Sequence, residues 1–321
     1  MPLQLHVGPP SSVLVEDQVR FIARAEALGF AGAGIAEDAR YVDPYEVISA
    51  AIDATTDIVL YPAVANPVTK TAVQHGRLIS GLSARAPGRI KLALGSGDVG
   101  LVALGKRPAK LNELKKAVVD VREMLGEGSL ALFDHLPKGV PAALLPPPVM
   151  MAASGELTLQ AAGEVADEVF VTSGLTTAAR RAVTNAIAYG AAKANRRARE
   201  VPVTYHAMVS IDEDRRVAIE RTRWWLHFLL ERGIFRLSLS AMEMRLPHFS
   251  VPDSIPAALL ERLANAFALA GTPAEVIGKV RRLEDQGVRT IFCMFSGGPK
   301  EHQRGLEIVA KHLIPVLGKG R

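Results

Sequence analysis

The chain has 321 residues, 49% of them hydrophobic, with 38 Lys and Arg against 33 Asp and Glu and a net charge of +5. That length fits one large α/β domain or two ordinary ones and allows a sizeable core. The positive excess is small and scattered and lies in no basic stripe interleaved with aromatics, which argues against a nucleic-acid partner, while a single cysteine, Cys293, excludes an internal disulfide and a Cys-based zinc site.

MPLQLHVGPP opens the chain without the basic and apolar regions of a signal peptide. No run reaches the roughly 18 apolar residues of a membrane span. A soluble, cytoplasmic protein is expected. LQLHVG (3–8) reads as a strand closed by Pro9-Pro10. Val15, Val19, Ile22 and Ala23 share one face of a helix stopped at Gly29. GAGIAED (32–38) is the second strand, and a helix begins near Asp43-Pro44. IVLYPAVANP (58–67) is the third, with a helix carrying Val73 and Leu78. RIKLALGSG (89–97) is the fourth, and 111–125 is an amphipathic helix.

Glycines and prolines interrupt this rhythm over 127–147, an insertion with room for a short strand at Leu130–Phe133. VMMAASG (149–155) resumes it, and a helix starts at Glu156. EVFVTSG (168–174) precedes an Ala-rich helix from Thr177 to about Ala198, and VTYHAMVSI (203–211) precedes a helix through Asp214 to Leu230. Residues 233–270 form a second insertion. A helix over Pro273–Gln286, the strand RTIFCMF (289–295) and a helix over Gln303–Leu317 complete the chain. Eight strands each followed by a helix predict one (β/α)8 TIM barrel over 1–321, with a doubly wound open sheet as the competitor.

In such barrels chemistry sits at the C-terminal strand ends. Those ends are rich in small residues here, which let a flat or phosphate-bearing ligand approach the backbone. Ser154-Gly155 opens a helix, either as an anion site or as a simple cap. Gly97-Asp98 is also ordinary turn chemistry. Strand alternation separates His6 and Gln4 from Leu3 and Leu5, so His6 faces the barrel interior or is a satisfied core histidine. No His-x-x-x-His and no Gly-x-Ser-x-Gly elbow occurs, so neither a metal site nor a serine hydrolase is indicated.

ARAEALGFAGAGIAEDAR (23–40), the stretch from VLYPAVANP to KLALGSGD (59–98), VMMAASGELTLQAAGEVADEVFVTSG (149–174) and GTPAEVIGKVRRLEDQGVRTI (271–291) together resemble the luciferase-like superfamily of flavin- and deazaflavin-dependent oxidoreductases. LGKRPAKLNEL (104–114) is most similar to the branch of methylene-tetrahydromethanopterin reductases, which use coenzyme F420. The resemblance implies a TIM barrel whose ring-shaped cofactor lies over the strand ends, with a non-prolyl cis peptide at Ala63-Val64. It implies cofactor contacts at Glu37, Ala63, Val64, Asn66, Ser96, Gly97 and Asp98, and at Ala153, Ser154, Gly155 and Thr172 on the phosphate side. The second strand departs from the family pattern, because Asp38 stands where many members have a histidine. The proton-transfer group is therefore His6, Asp38 or Asp98, with His6 placed first because unperturbed histidine titrates nearest neutrality.

The implied activity is F420-dependent hydride transfer to or from a small organic substrate. An FMN-dependent monooxygenase or reductase is the alternative, and a non-catalytic flavin-binding barrel the third reading. The resemblance also implies a homodimer. Residues 233–270 carry Phe235, Met242, Met244 and Phe249, which suits a lid over an apolar substrate or plain packing.

Overall fold

The computed structural model describes residues 2–12, 14–97, 99–102, 104–126 and 146–317. The strands and helices alternate: β1 (Gln4–Val7), α1 (Val15–Ala27), β2 (Gly32–Ile35), α2 (Pro44–Ala54), β3 (Val59–Pro62), α3 (Ala72–Arg85) and β4 (Leu92–Leu94). A short α4 (Val99–Val102) and α5 (Leu111–Leu125) lead to β5 (Val149–Ala153), α6 (Glu156–Val165), β6 (Glu168–Thr172), α7 (Thr177–Lys193) and β7 (Val203–Ile211). Then come α8 (Arg215–Glu220), α9 (Arg223–Glu231), α10 (Arg236–Ala241), α11 (Ala257–Phe267), β8 (Ala268–Gly271), α12 (Pro273–Asp285), β9 (Thr290–Met294) and α13 (Pro299–His312).

All ladders are parallel. The sheet runs β3-β2-β1-β9-β7-β6-β5-β4, and the isolated bridges Leu60–Ile90 and Ala65–Leu94 join β3 to β4. The eight predicted strands therefore close into the expected barrel. β8 is a ninth strand, unforeseen within the second insertion, paired with the upper half of β7. Alternation along each strand sorts the side chains into two cores. Leu5, Val7, Val149, Met151, Val169, Val171 and Tyr205 pack outward under the helices. Tyr61, Ala93, Met150, Phe170 and Phe292 fill the interior. A third cluster, including Met208, Trp225, Phe235, Phe249 and Phe267, gathers α8–α11 over the β7–β8 corner.

Local chemistry sets the helix starts. Thr71 accepts from the Gln74 amide while Gln74 accepts from the Thr71 amide, and Thr272 with Glu275 repeats this capping box at α12. Helices α6 and α7 touch backbone to backbone: a Cβ on Gly190 would lie 1.7 Å from the Gln160 carbonyl oxygen, and one on Gly163 2.1 Å from that of Ile187.

Several expected boundaries move. The helix read over Asp214–Leu230 is two, α8 and α9, divided at Thr222, whose hydroxyl bonds the Ile219 carbonyl at 2.6 Å. The last helix begins at Pro299 rather than Gln303, because proline suits a first helical turn. The Ala-rich helix stops at Lys193. On α3, Val73 and Leu78 are exposed, and His75, Gly76, Ile79 and Leu82 form the buried face. Residues 127–145 of the first insertion, its short strand at Leu130–Phe133, and Asp98 lie outside the described residues.

Candidate active site

At the C-terminal ends of β1 to β5, the inward positions are small. A Cβ on Gly34 would lie 2.6 Å from the Ala63 Cβ and 2.7 Å from the Phe292 ring, and one on Gly95 2.7 Å from Val64. With Gly8, whose Cβ would touch Phe292 at 3.0 Å, these residues form a flat bed over the aromatic interior. The Ala63-Val64 peptide within it is cis, at the position the resemblance implied. Ala63, Val64, Ala152, Thr172, His206 and Met294 are inward yet only half-buried, so the mouth is open above them. At the opposite end a Lys91–Glu168 ion pair of 2.6 Å plugs the barrel.

Alternation places Ala152 in the interior cluster and Ala153 in the outer core beneath the helices. Ala153, expected at the cofactor, thus faces away from the mouth, and Ala152 faces into it. Counting from Val149 in steps of two was the signal available in the sequence.

His6 faces inward as expected, but it is 3% exposed, beneath the bed, with Nδ1 2.8 Å from the Tyr61 hydroxyl. Burial lowers its pKa to about 3, with the nearby Lys91 ammonium adding to the effect. It is a neutral, anchored ring at physiological pH. Asp38 sits at the rim in a salt bridge with Arg40 at 2.6 Å, and the guanidinium hydrogen-bonded to it holds its pKa below the ordinary carboxylate value. A carboxylate kept ionised in this way is a poor proton carrier near neutrality.

Glu37 and Asn66 come together through a loop residue the sequence did not single out. The Thr69 hydroxyl donates to Glu37 Oε1 at 2.5 Å and lies 3.3 Å from Asn66 Oδ1, which also accepts the Val68 and Thr69 amides at 3.0 Å each. Lys70 bridges Glu37 at 3.5 Å and Asp43 at 2.5 Å. Behind them, His75 Nε2 donates to the Asn66 carbonyl at 2.9 Å, and its Nδ1 pairs with the Tyr45 hydroxyl at 2.5 Å. Glu37 Oε2 is buried without a partner among the described residues. Gly97 closes on this group: its φ is +80°, and a Cβ there would lie 2.8 Å from Asn66. Ser96 is half-buried beside it, and its carbonyl accepts the Ala109 amide at 2.8 Å.

Gly155, rather than Ser154, is the N-cap residue of α6. The Ser154 hydroxyl makes no hydrogen bond to the described protein, so it is not spent on capping. Thr172 pairs with His206, Oγ1 to Nδ1 at 3.0 Å. His206 also meets Phe170, Phe292 and Trp225, with ring centroids 5.4–6.0 Å away. Burial lowers its pKa to about 4.

Two histidines with folded pKa values below the unfolded 6.5 set a direction of pH dependence. Their contribution is complete above about pH 6.5 and is lost as pH falls, because the unfolded chain takes up protons that the folded chain refuses. Each adds a slope of about 1.4 kcal/mol per pH unit between about 6.5 and its folded value. Urea midpoints measured from pH 7.5 down to 5 are expected to fall, and less steeply in His6→Gln and His206→Phe. Parallel slopes in wild type and both variants would contradict this.

A search of curated proteins finds methylenetetrahydromethanopterin reductase of Methanolobus tindarius, 26% identical over 309 residues, covering 90% of this chain and 93% of the relative. The F420-dependent glucose-6-phosphate dehydrogenase of Nakamurella multipartita is 27% identical, covering 74% of this chain and 70% of that one. Among solved structures, the coenzyme F420 dependent tetrahydromethanopterin reductase of Methanopyrus kandleri superposes with a TM-score of 0.76 at 22% identity, over 98% of this chain and 99% of that chain. The oxygenating constituent of 3,6-diketocamphane monooxygenase of Pseudomonas putida, in complex with FMN, gives 0.69 at 16% identity, over 98% and 99%. Residues 3–290 match the model of the luciferase-like monooxygenase family, and the chain belongs to that family.

Proposed function

We propose that this protein is an F420-dependent oxidoreductase acting on a small organic substrate. The open mouth over Gly8, Gly34, Ala63, Val64, Gly95 and Ala152 carries the reading, because only near-absent side chains let a planar ring settle against strand backbones. The relatives named for F420 or for methylenetetrahydromethanopterin reduction favour the deazaflavin over FMN. When bound, such a cofactor supplies hydride transfer. Glu37, with its unpartnered Oε2, and Asn66, Ser96 and Gly97 would hold one edge of the ring. Ser154 and Gly155 at the start of α6, with a free hydroxyl and helix amides, would hold the phosphate.

The protein residues divide the remaining work. His6 supports the bed through Tyr61 rather than moving a proton. Asp38 is committed to Arg40. Asp98 stays the proton carrier of this proposal. Homodimerisation and a cytoplasmic location belong to the same reading; among the described residues no helix is long and apolar enough to cross a membrane.

A fluorescence titration of the apo-protein with F420 and, separately, with FMN tests the proposal. F420 is expected to bind the more tightly, with Glu37→Gln weakening it by about tenfold. Preference for FMN would move the protein to the monooxygenase side of the family. Binding of neither would overturn the assignment of the mouth as a cofactor site.

A further inference from the structure

The β6–β7–β9 wall of the mouth differs from the rest. Its polar group is the Thr172–His206 pair, 3.0 Å apart, on inward half-buried positions. In the tautomer where the Thr172 hydroxyl donates to His206 Nδ1, the imidazole proton lies on Nε2. Nε2 has no hydrogen-bond partner among the described residues, and His206 is half-buried at the mouth. The surroundings are apolar: Phe170 and Phe292 lie 5.7 and 5.4 Å away, Trp225 stands edge-on at 6.0 Å, and Met208 and Met294 pack in the same cluster as Trp225. None of the groups that meet His206 carries a charge.

A neutral N–H donor at the edge of an aromatic and methionine wall fits one kind of molecule. We infer that this wall takes an uncharged apolar substrate through one carbonyl oxygen hydrogen-bonded to His206 Nε2. This rests on the oxidoreductase reading only in calling the molecule a substrate; the binding site itself does not require the cofactor. The class excludes phosphorylated sugars, since a phosphate brought here would lose water and find no cation. Thr172 is the positioning residue, because it selects the tautomer that points a donor outward.

The test uses the apo-protein with nitrogen-labelled histidine rings, acetophenone as the carbonyl probe and glucose 6-phosphate as the charged one. The His206 signal is identified by its loss in His206→Phe. Acetophenone is expected to shift the Nε2 resonance saturably, and glucose 6-phosphate to leave it in place. His206→Phe, which keeps an aromatic ring, and Thr172→Val, which keeps the shape, should each weaken acetophenone binding by about tenfold. Acetophenone binding equally well to wild type and both variants overturns the inference, as does glucose 6-phosphate displacing it from His206. F420 titration of His206→Phe runs alongside and should match wild type. Loss of F420 binding by wild type itself would sink the cofactor reading while leaving the acetophenone result to judge this one.

Discussion

Ala152→Leu is expected to abolish cofactor binding while leaving the fold intact. Ala152 projects inward from β5 and is half-buried at the open mouth. A Cβ on the neighbouring Gly95 would lie 3.3 Å from the Ala152 Cβ and 2.7 Å from Val64, so Ala152 belongs to the small-residue bed. A leucine there would occupy the plane a flat ring needs, and barrel walls do not yield as liquid would. Affinity for F420 or FMN should fall by at least about a hundredfold, as expected for a built-in clash. Titration read by fluorescence, with a thermal melt as the fold control, checks this. Ala153→Leu provides the contrast: Ala153 is 6% exposed in the outer core, so enlarging it should lower stability and leave the mouth's shape alone. Binding retained in Ala152→Leu would show that the ring lies elsewhere.

The largest loss of stability is expected at Gly190. The α6–α7 pair approaches so closely that a Cβ on Gly190 would lie 1.7 Å from a main-chain oxygen of Gln160. No rotamer relieves a clash between a Cβ and backbone. The two helices would have to separate, opening the core that Leu159, Ala162, Val183 and Ile187 share. Gly190→Leu should cost on the order of 4 kcal/mol or more, beyond ordinary overpacking. Urea unfolding or, if the variant does not accumulate, soluble yield reads the effect. Gly81→Ala on α3 is the control, since a Cβ there meets nothing within 4 Å. It should stabilise by up to about 1 kcal/mol through helix propensity alone. Equal behaviour of the two variants would refute the packing account.

The small-residue bed was half legible in the sequence. Gly95-Ser96-Gly97 stood out because two glycines end an apolar run abruptly, although ordinary turn chemistry also accounts for them. Gly34 did not, since one glycine inside GAGIAED reads equally as an ordinary strand residue. Its necessity comes from Ala63 and Phe292, on β3 and β9, which meet it only in the closed barrel. β8 was hidden because ALAG is too short and too featureless to separate from the helix that runs into it.

Strand and helix alternation, and which residues end the strands, were determined by the sequence alone, because periods of 2 and 3.6 and turn residues are local properties, while closure into a barrel rather than the competing open sheet was decided by the strand pairing. The tertiary structure alone decided what each polar residue at those ends can do. His6 is sealed beneath the bed by Tyr61, Asp38 is tied to Arg40, and Glu37 is joined to Asn66 through Thr69. His206, a strand histidine in the sequence, is held as a neutral ring at the mouth because Thr172 and three aromatic rings from other segments surround it. Burial and charge depend on neighbours brought from far along the chain, and those neighbours exist only once the barrel has closed.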